Sequence, residues 1–354
     1  MLKVLIVDDS AVISLLLRST LEQGGLEVVG EARDGQQALC MVSQLKPDVV
    51  AMDIHMPNLD GYQATRQLMS ANPLPIVLVT ASEDPHDAAV AMRALDAGAL
   101  AVVQKPRGPD HPQYQQDAAE LVRTVRNMAQ VKVVTRIERP QRQAAETDAV
   151  VSAQLVGKQP KVVVLGASTG GPMALRELLS TLHGAPPWPL LAVQHISHGF
   201  ISSFCHWLNE SSAIPVQIAK QNEIAKAGHL YLAPDDFHLG VRLDSSGVCY
   251  LQLVAAEPWQ GQRPAVGYLF NSVAQHYGGQ SIAVLLSGMG ADGAADMLTL
   301  KTRGALTIAQ DSVSSVVHGM PGEAIRLNAA AHILCPRDIA ALLNTLAAQY
   351  TPDG

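Results

Sequence analysis

The sequence predicts two α/β domains in series, the first built on a doubly wound parallel sheet. Three observations carry that prediction. Short runs rich in Val, Ile and Leu recur along the chain with few polar interruptions, as strands buried on both faces of a parallel sheet require. Amphipathic stretches of helical period separate them. A polar stretch over residues 129–160 then breaks the alternation before it resumes. In a chain of 354 residues that break favours two domains over one.

In the first domain, residues 1–128, the apolar runs are KVLIV (3–7), LEVVG (26–30), DVVAMD (48–53), PIVLVT (75–80) and ALAVV (99–103). They make five βα units. In the last helix, DAAELVRTVRNMAQ, Ala118, Leu121, Val122, Val125 and Met128 share one face. Residues 129–160 are polar, of mixed charge and without a firm period, and read as a linker with partial helix near QRQAAE. The second domain, residues 161–354, repeats the pattern with KVVVLG, PLLAVQH, HLYLAP, SIAVLLSG, GALTIAQ and HILC. Within it, HLGVRLDSSGVCYLQLV reads as a hairpin insertion that turns at DSSG.

Composition narrows the function. Apolar residues make up 48% of the chain, enough for substantial cores. The net charge is −7 and no helix carries a Lys/Arg cluster, which argues against a nucleic-acid partner. No helix-turn-helix with a basic face offers a transcription factor's reading surface. The four cysteines are scattered with no CxxC pair, as small buried hydrophobes in a reducing compartment. The N-terminus lacks the features of a signal peptide, and no apolar run reaches the roughly 18 residues of a membrane span. A soluble cytoplasmic protein without membrane insertion is expected.

Polar residues gather at the strand ends of the first domain. Asp8 and Asp9 follow the first strand, Asp53 ends the third, Thr80 ends the fourth and Lys105 follows the fifth. A parallel sheet brings all five to its carboxyl edge, where such folds bind ligands. One acid alone would be an ordinary solvent-facing or capping residue; five polar groups at matching strand ends ask for more. Three carboxylates repel one another unless a cation sits among them, and Mg²⁺ prefers hard oxygen donors. A carboxylate can also accept a phosphoryl group covalently, with Lys105 and the Thr80 hydroxyl stabilising the added charge. The segments VDDS, MDIHMPNLDG, VTAS and QKP make residues 1–128 resemble the receiver domain of bacterial response regulators. The resemblance implies a flavodoxin-like fold, Asp53 as phospho-acceptor and Mg²⁺ held by Asp8, Asp9 and Asp53. It also implies a histidine kinase as phosphodonor and a cis peptide before Pro106. Two positions depart from the receiver pattern, Val102 where an aromatic switch residue is frequent and His55 where Glu is frequent, and both bear on how the signal leaves the domain.

In the second domain VVVLGASTGGP (162–172) ends a strand in a glycine-flanked serine. It is not a GxGxxG fingerprint, since Ser168 takes the place of the second glycine, and not a P-loop, since Pro172 follows the glycines. It fits G-x-S-x-G, which sets a serine on a sharp strand-to-helix turn, though a plain Gly/Ser turn looks the same. A nucleophilic serine needs a base and an orienter. His195 follows the next apolar run and Asp292 lies in the glycine-rich loop LLSGMGADGA after another, so three polar residues meet one sheet edge. His198 forms an HxxH with His195, but no carboxylate completes a zinc pattern. The order Ser, His, Asp differs from that of α/β-hydrolases, where the acid precedes the histidine.

GASTGGP, AVQHISHGF, YLAPDDFHLGV, LLSGMGADGA and TIAQDSVSSVVHGMPGEAI, in this order over residues 161–345, resemble the catalytic domain of the CheB family, the chemotaxis protein-glutamate methylesterases. The resemblance implies a Rossmann-like α/β domain with Ser168 as nucleophile, His195 as general base and then acid, and Asp292 as orienter. It places Thr169 and the backbone N–H of Met289 near the reacting carbonyl, and the esterase reaction needs no cofactor. Glycines on both sides of Met289 let the backbone approach a developing oxyanion closely. Two local departures are Ser312-Val313-Ser314 in place of Glu-Ala-Thr, and Gly267 where Asp is common. The implied function is phosphorylation-activated hydrolysis of glutamate γ-methyl esters on chemoreceptors, with deamidation of receptor glutamines at the same site. The receiver is expected to cover the catalytic cleft until phosphorylated. Two other readings stand beside it: a non-catalytic response regulator whose C-terminal domain binds receptors, and a serine hydrolase acting on small esters.

Overall fold

The computed structural model describes residues 1–80, 92–131 and 159–349. The chain divides into two compact units, Met1–Glu138 and Arg139–Gly354. The helix expected near residues 141–146, and most of the expected linker, lie outside the described residues. Among the described residues no helix is long and apolar enough to cross a membrane.

The first unit holds a five-stranded parallel sheet of order β2-β1-β3-β4-β5. Its strands are β1 (Lys3–Val7), β2 (Glu27–Ala32), β3 (Val49–Asp53), β4 (Ile76–Thr80) and β5 (Ala101–Gln104). All residues of β3 and β4 are buried, which is why these strands read as unbroken apolar runs. Helices α1 (Ala11–Gln23), α2 (Gly35–Leu45) and α3 (Gly61–Ala71) each begin on a side-chain cap. Ser10 accepts from the Ile13 N–H, Asp34 from Gln37 and Asp60 from Gln63, which satisfies otherwise orphaned donors. α4 (Tyr114–Met128) buries Leu121, Val125 and Met128, while Ala118 and Val122 at its edge are half-buried. The strand order reverses between β1 and β3, so Asp8, Asp9 and Asp53 border the switch-point crevice.

The second unit is built on a seven-stranded sheet of order β14-β13-β12-β6-β7-β9-β8, parallel throughout. Its strands are β6 (Val162–Ala167), β7 (Leu190–Gln194), β8 (Val216–Ile218), β9 (Leu230–Leu232), β12 (Ser281–Leu285), β13 (Leu306–Gln310) and β14 (His332–Leu334). The expected hairpin is present as β10 (His238–Leu243) and β11 (Cys249–Val254), paired antiparallel from His238↔Val254 to Leu243↔Cys249. Gly247 supplies the left-handed residue of its turn at φ +82°. Helices α5 (Gly171–Thr181), α6 (Ile201–Ser211), α7 (Val266–His276), α8 (Ala294–Thr302), α9 (Met320–Arg326) and α10 (Pro336–Ala348) connect the sheet. Val164, Val193 and Leu285 pack with Phe270 and Val273 of α7 and Met297 of α8 in one core. β6 lies between β7 and β12, and the chain leaves β6 toward one and returns later for the other. That reversal opens a crevice at the end of β6.

The expectation of a cis peptide before Pro106 is not met. Among the described residues the cis bond is Arg263–Pro264. The bond before Pro106 takes the trans isomer that X–Pro bonds ordinarily prefer.

Candidate phosphoryl-acceptor and active sites

In the first unit the strand ends deliver their acids as a cluster. The Ser10 N–H donates to Asp8 Oδ1 at 3.0 Å and the Ile54 N–H to Asp53 Oδ1 at 2.7 Å. Lys105 Nζ donates to Asp53 Oδ2 at 2.8 Å and pairs with Asp8 Oδ2 at 2.7 Å. Burial pushes the Asp53 carboxyl up, with Lys105 opposing it. Burial also pulls Lys105 down, but its two carboxylates outweigh that and the net shift is upward, so the ammonium stays charged. Oxygens of Asp8, Asp9 and Asp53 lie within 4.8 Å of one another. Three hard oxygen donors at this spacing suit Mg²⁺. Thr80 is buried at the end of β4, Val102 is half-buried opposite Leu78, and His55 is exposed. A Cβ on Gly61 would lie 2.2 Å from the Asp53 carbonyl oxygen, so only glycine lets α3 begin against that strand end.

In the second unit three loops meet around Ser168. The His195 N–H donates to the Ala167 carbonyl at 2.9 Å, one rung beyond the β6–β7 pairing. The Ser168 N–H donates to the Ser287 carbonyl at 3.0 Å, which ties the serine to the loop after β12. Ser287 Oγ donates to the Thr169 carbonyl at 2.7 Å and accepts from the Val317 N–H at 3.0 Å. Buried Gln194 adds a brace: its Nε2 donates to the carbonyl of Ser168 at 2.8 Å and to that of His195 at 2.7 Å. One amide thus joins the backbone carbonyls of Ser168 and His195.

Asp292 is buried at the N-terminus of α7. Its Oδ2 accepts from the Val266 N–H at 2.7 Å and its Oδ1 from the Gly267 N–H at 2.9 Å, donors that a helix start leaves free. The same Oδ2 lies 3.0 Å from His195 Nε2. Two backbone donors hold the acid, and the acid fixes the ring through Nε2. Among the described residues no hydrogen bond joins Ser168 Oγ to that ring. A Cβ on Gly288 would lie 2.9 Å from Ser168 Cβ, so glycine lets the Met289 loop pass beside the serine. The Gly288 carbonyl accepts from the N–H groups of Gly319 and Met320, and Met289 itself is exposed at the rim. His198 is exposed and lies against Asp236 at 3.0 Å, away from Asp292.

Sequence reasoning missed two residues of this site. Gln194 differs from its neighbours only in being a polar residue that ends a buried run. Asp296, in the first turn of α8 just after Asp292, carries no signal in the sequence that sets it apart from an ordinary helix-start acid.

The family model for CheB methylesterase matches residues 163–343, and the model for the response regulator receiver domain matches residues 4–113. A protein of Hahella chejuensis named protein-glutamate methylesterase/protein-glutamine glutaminase 3 is 51% identical over 348 residues, which cover 98% of this chain and 99% of that one. A protein of Geobacter metallireducens, number 4 of the same name, is 45% identical over the same shares. The crystal structure of the Thermotoga maritima CheB methylesterase catalytic domain superposes with a TM-score of 0.52 at 36% identity, covering 53% of this chain and 99% of that one. A receiver domain followed by a methylesterase domain, matched along nearly its whole length, places the chain in the CheB methylesterase family.

Proposed function

We propose that the chain hydrolyses glutamate γ-methyl esters on chemoreceptors, deamidates receptor glutamines at the same site, and is switched on by phosphorylation of Asp53. The observation that carries the hydrolase reading is the pair of half-buried His195 and buried Asp292, 3.0 Å apart, on the sheet edge that also presents Ser168. Relatives named for both activities span the whole chain. In this reading residues 1–128 are the receiver, 129–160 the linker and 161–354 the catalytic domain, working in the cytoplasm.

Ser168 Oγ attacks the ester carbonyl and its proton passes to His195. Asp292 keeps the ring in the tautomer with N–H at Nε2 and stabilises the imidazolium that forms. The Met289 N–H and Thr169 serve the oxyanion. His195 returns the proton to the departing methanol, and a water that it then deprotonates hydrolyses the acyl-enzyme to glutamate. A glutamine substrate passes through the same kind of tetrahedral oxyanion and releases ammonia. In the receiver, Asp53 takes the phosphoryl group from a histidine kinase while Lys105 and Thr80 stabilise its oxygens. Asp8, Asp9 and Asp53 would hold Mg²⁺, which when bound neutralises negative charge on the phosphoryl oxygens.

The test is methanol release from methylated receptor membranes, for the wild type and Ser168→Ala, with and without Mg²⁺ and a small phosphodonor. The wild type releases methanol, the phosphodonor speeds release, and Ser168→Ala loses it by about 10³-fold or more. A folded wild type that releases none from several receptors would put the receptor-binding module in its place.

A further inference from the structure

The first turn of α8 holds a second carboxyl behind Asp292. Asp296 is only 9% exposed, and its Oδ2 is buried without a hydrogen-bond partner. The indole Nε1 of Trp259 is buried and unpartnered as well. Both converge on Gly267 in the first turn of α7. A Cβ there would lie 2.4 Å from Asp296 Oδ2, 2.9 Å from Trp259 Nε1 and 3.0 Å from Asp292 Oδ1. Buried polar atoms are ordinarily bonded, so a bare carboxyl oxygen set against another acid calls for a role. Burial, and after it the charge on Asp292, push the Asp296 carboxyl up to about 6.

Resting on the hydrolase reading above, we propose that Asp296 is a positioning residue for the reaction: lodged against Asp292, it sets the charge on the Asp292–His195 pair and so the pH at which His195 can take the Ser168 proton. Asp296 acts through Asp292 and not on substrate. When ionised, it adds a second negative charge that favours the imidazolium; when protonated, it withdraws that support. Asp292 is the charge that acts on Asp296; in the segment before α7, Arg263 donates to the Ala256 carbonyl and buried His238 accepts from the Ala265 N–H. The first turn of α7 offers Val266, Gly267 and Tyr268, with His276 at the far end of the helix. On α9, Glu323 and Arg326 pair with each other at 2.6 Å. Lys301 of α8 is bonded to the Asn328 carbonyl, and β12 and β13 carry no charged residue. Gly267 makes the arrangement possible, because a side chain there would displace the Asp296 oxygen.

The test compares wild type with Asp296→Asn, which keeps the volume and removes the charge. Two quantities are followed against pH: kcat and KM for methanol release, and the His195 ring titration by NMR of histidine-labelled protein, assigned with His195→Gln. In Asp296→Asn the ring titration and the acid limb of kcat/KM are displaced to lower pH relative to the wild type by about half a unit or more, with KM at the optimum unchanged. Superimposed ring titrations overturn the proposal, as does an activity loss equal at every pH with an unmoved ring titration. The NMR arm needs no turnover, so an inactive wild type would overturn the hydrolase reading while the ring titration still decides the role of Asp296.

Discussion

Asp292 has three donors on two oxygens, and each reports differently on substitution. Asp292→Ala leaves the buried N–H groups of Val266 and Gly267 unpaired. That should cost about 1–3 kcal/mol in urea unfolding, together with a fall in methanol release of about 10³-fold or more. Asp292→Asn keeps one acceptor, for the Gly267 N–H, but sets an amide donor where both His195 Nε2 and the Val266 N–H meet an acceptor. It should therefore lose about 1–3 kcal/mol in urea unfolding and about 10⁴-fold in rate, as a wrong tautomer does in such triads; wild-type rates in this variant would end the orienter role. Asp296 makes a separate prediction about stability. Burial pushes its carboxyl up from the ordinary 3.8 to about 6 in the folded chain, so the folded state binds a proton in that interval. The stability this confers is complete below about pH 4 and is lost as pH rises through about 6. Asp296→Asn should be more stable than the wild type at pH 8, by on the order of 2 kcal/mol, with the gap closing at pH 4. Urea midpoints at the two pH values decide it. The sequence shows why Ser168, His195 and Asp292 could be picked out and Asp296 could not: the first three end strands or sit in glycine-rich loops, whereas Asp296 matters only through what Gly267 leaves open.

At the level of elements, the distance between β6 and α7 links the serine to its acid. A Cβ on Gly166 would lie 2.2 Å from Val266 Cγ1 and 2.9 Å from Leu285 Cδ1, and the Val266 N–H is one of the donors that hold Asp292. Gly166→Ala should therefore push α7 outward, destabilise the unit by about 1–3 kcal/mol and lower kcat more than it raises KM. A variant of wild-type stability and kcat would show that the helix shifts freely. Elements buried on both faces were the legible ones: β1, β3 and β4 fall within a residue of their apolar runs because nothing polar interrupts them. The hairpin was legible from its alternation and its Asp-Ser-Ser-Gly turn. β8 was not, since three residues with two of them half-exposed carry no pattern. The cis bond before Pro106 was an expectation drawn from resemblance alone, with no signal in the local residues to carry it.

At the scale of the whole molecule, the two chemistries rest on separate cores. The carboxylate cluster with Lys105 is assembled entirely from the five-stranded unit, and the Ser168 site entirely from the seven-stranded one. Units that each bury their own sheet can be altered one at a time, so the phosphoryl-acceptor and hydrolase reactions should separate cleanly by substitution. Ser168→Ala should incorporate phosphate from a small phosphodonor to the wild-type extent, in a Mg²⁺-dependent way, although it releases no methanol. Asp53→Asn should incorporate none, and its methanol release should no longer respond to phosphodonor. Chelating Mg²⁺ from the wild type should copy the loss of response seen in Asp53→Asn if, as proposed, the cation acts at the acidic cluster. Phosphate incorporation and methanol release measured on the same samples distinguish the cases. If Ser168→Ala were folded yet unable to take up phosphate, the acceptor site would depend on the hydrolase site, and control would run in the direction opposite to the one proposed.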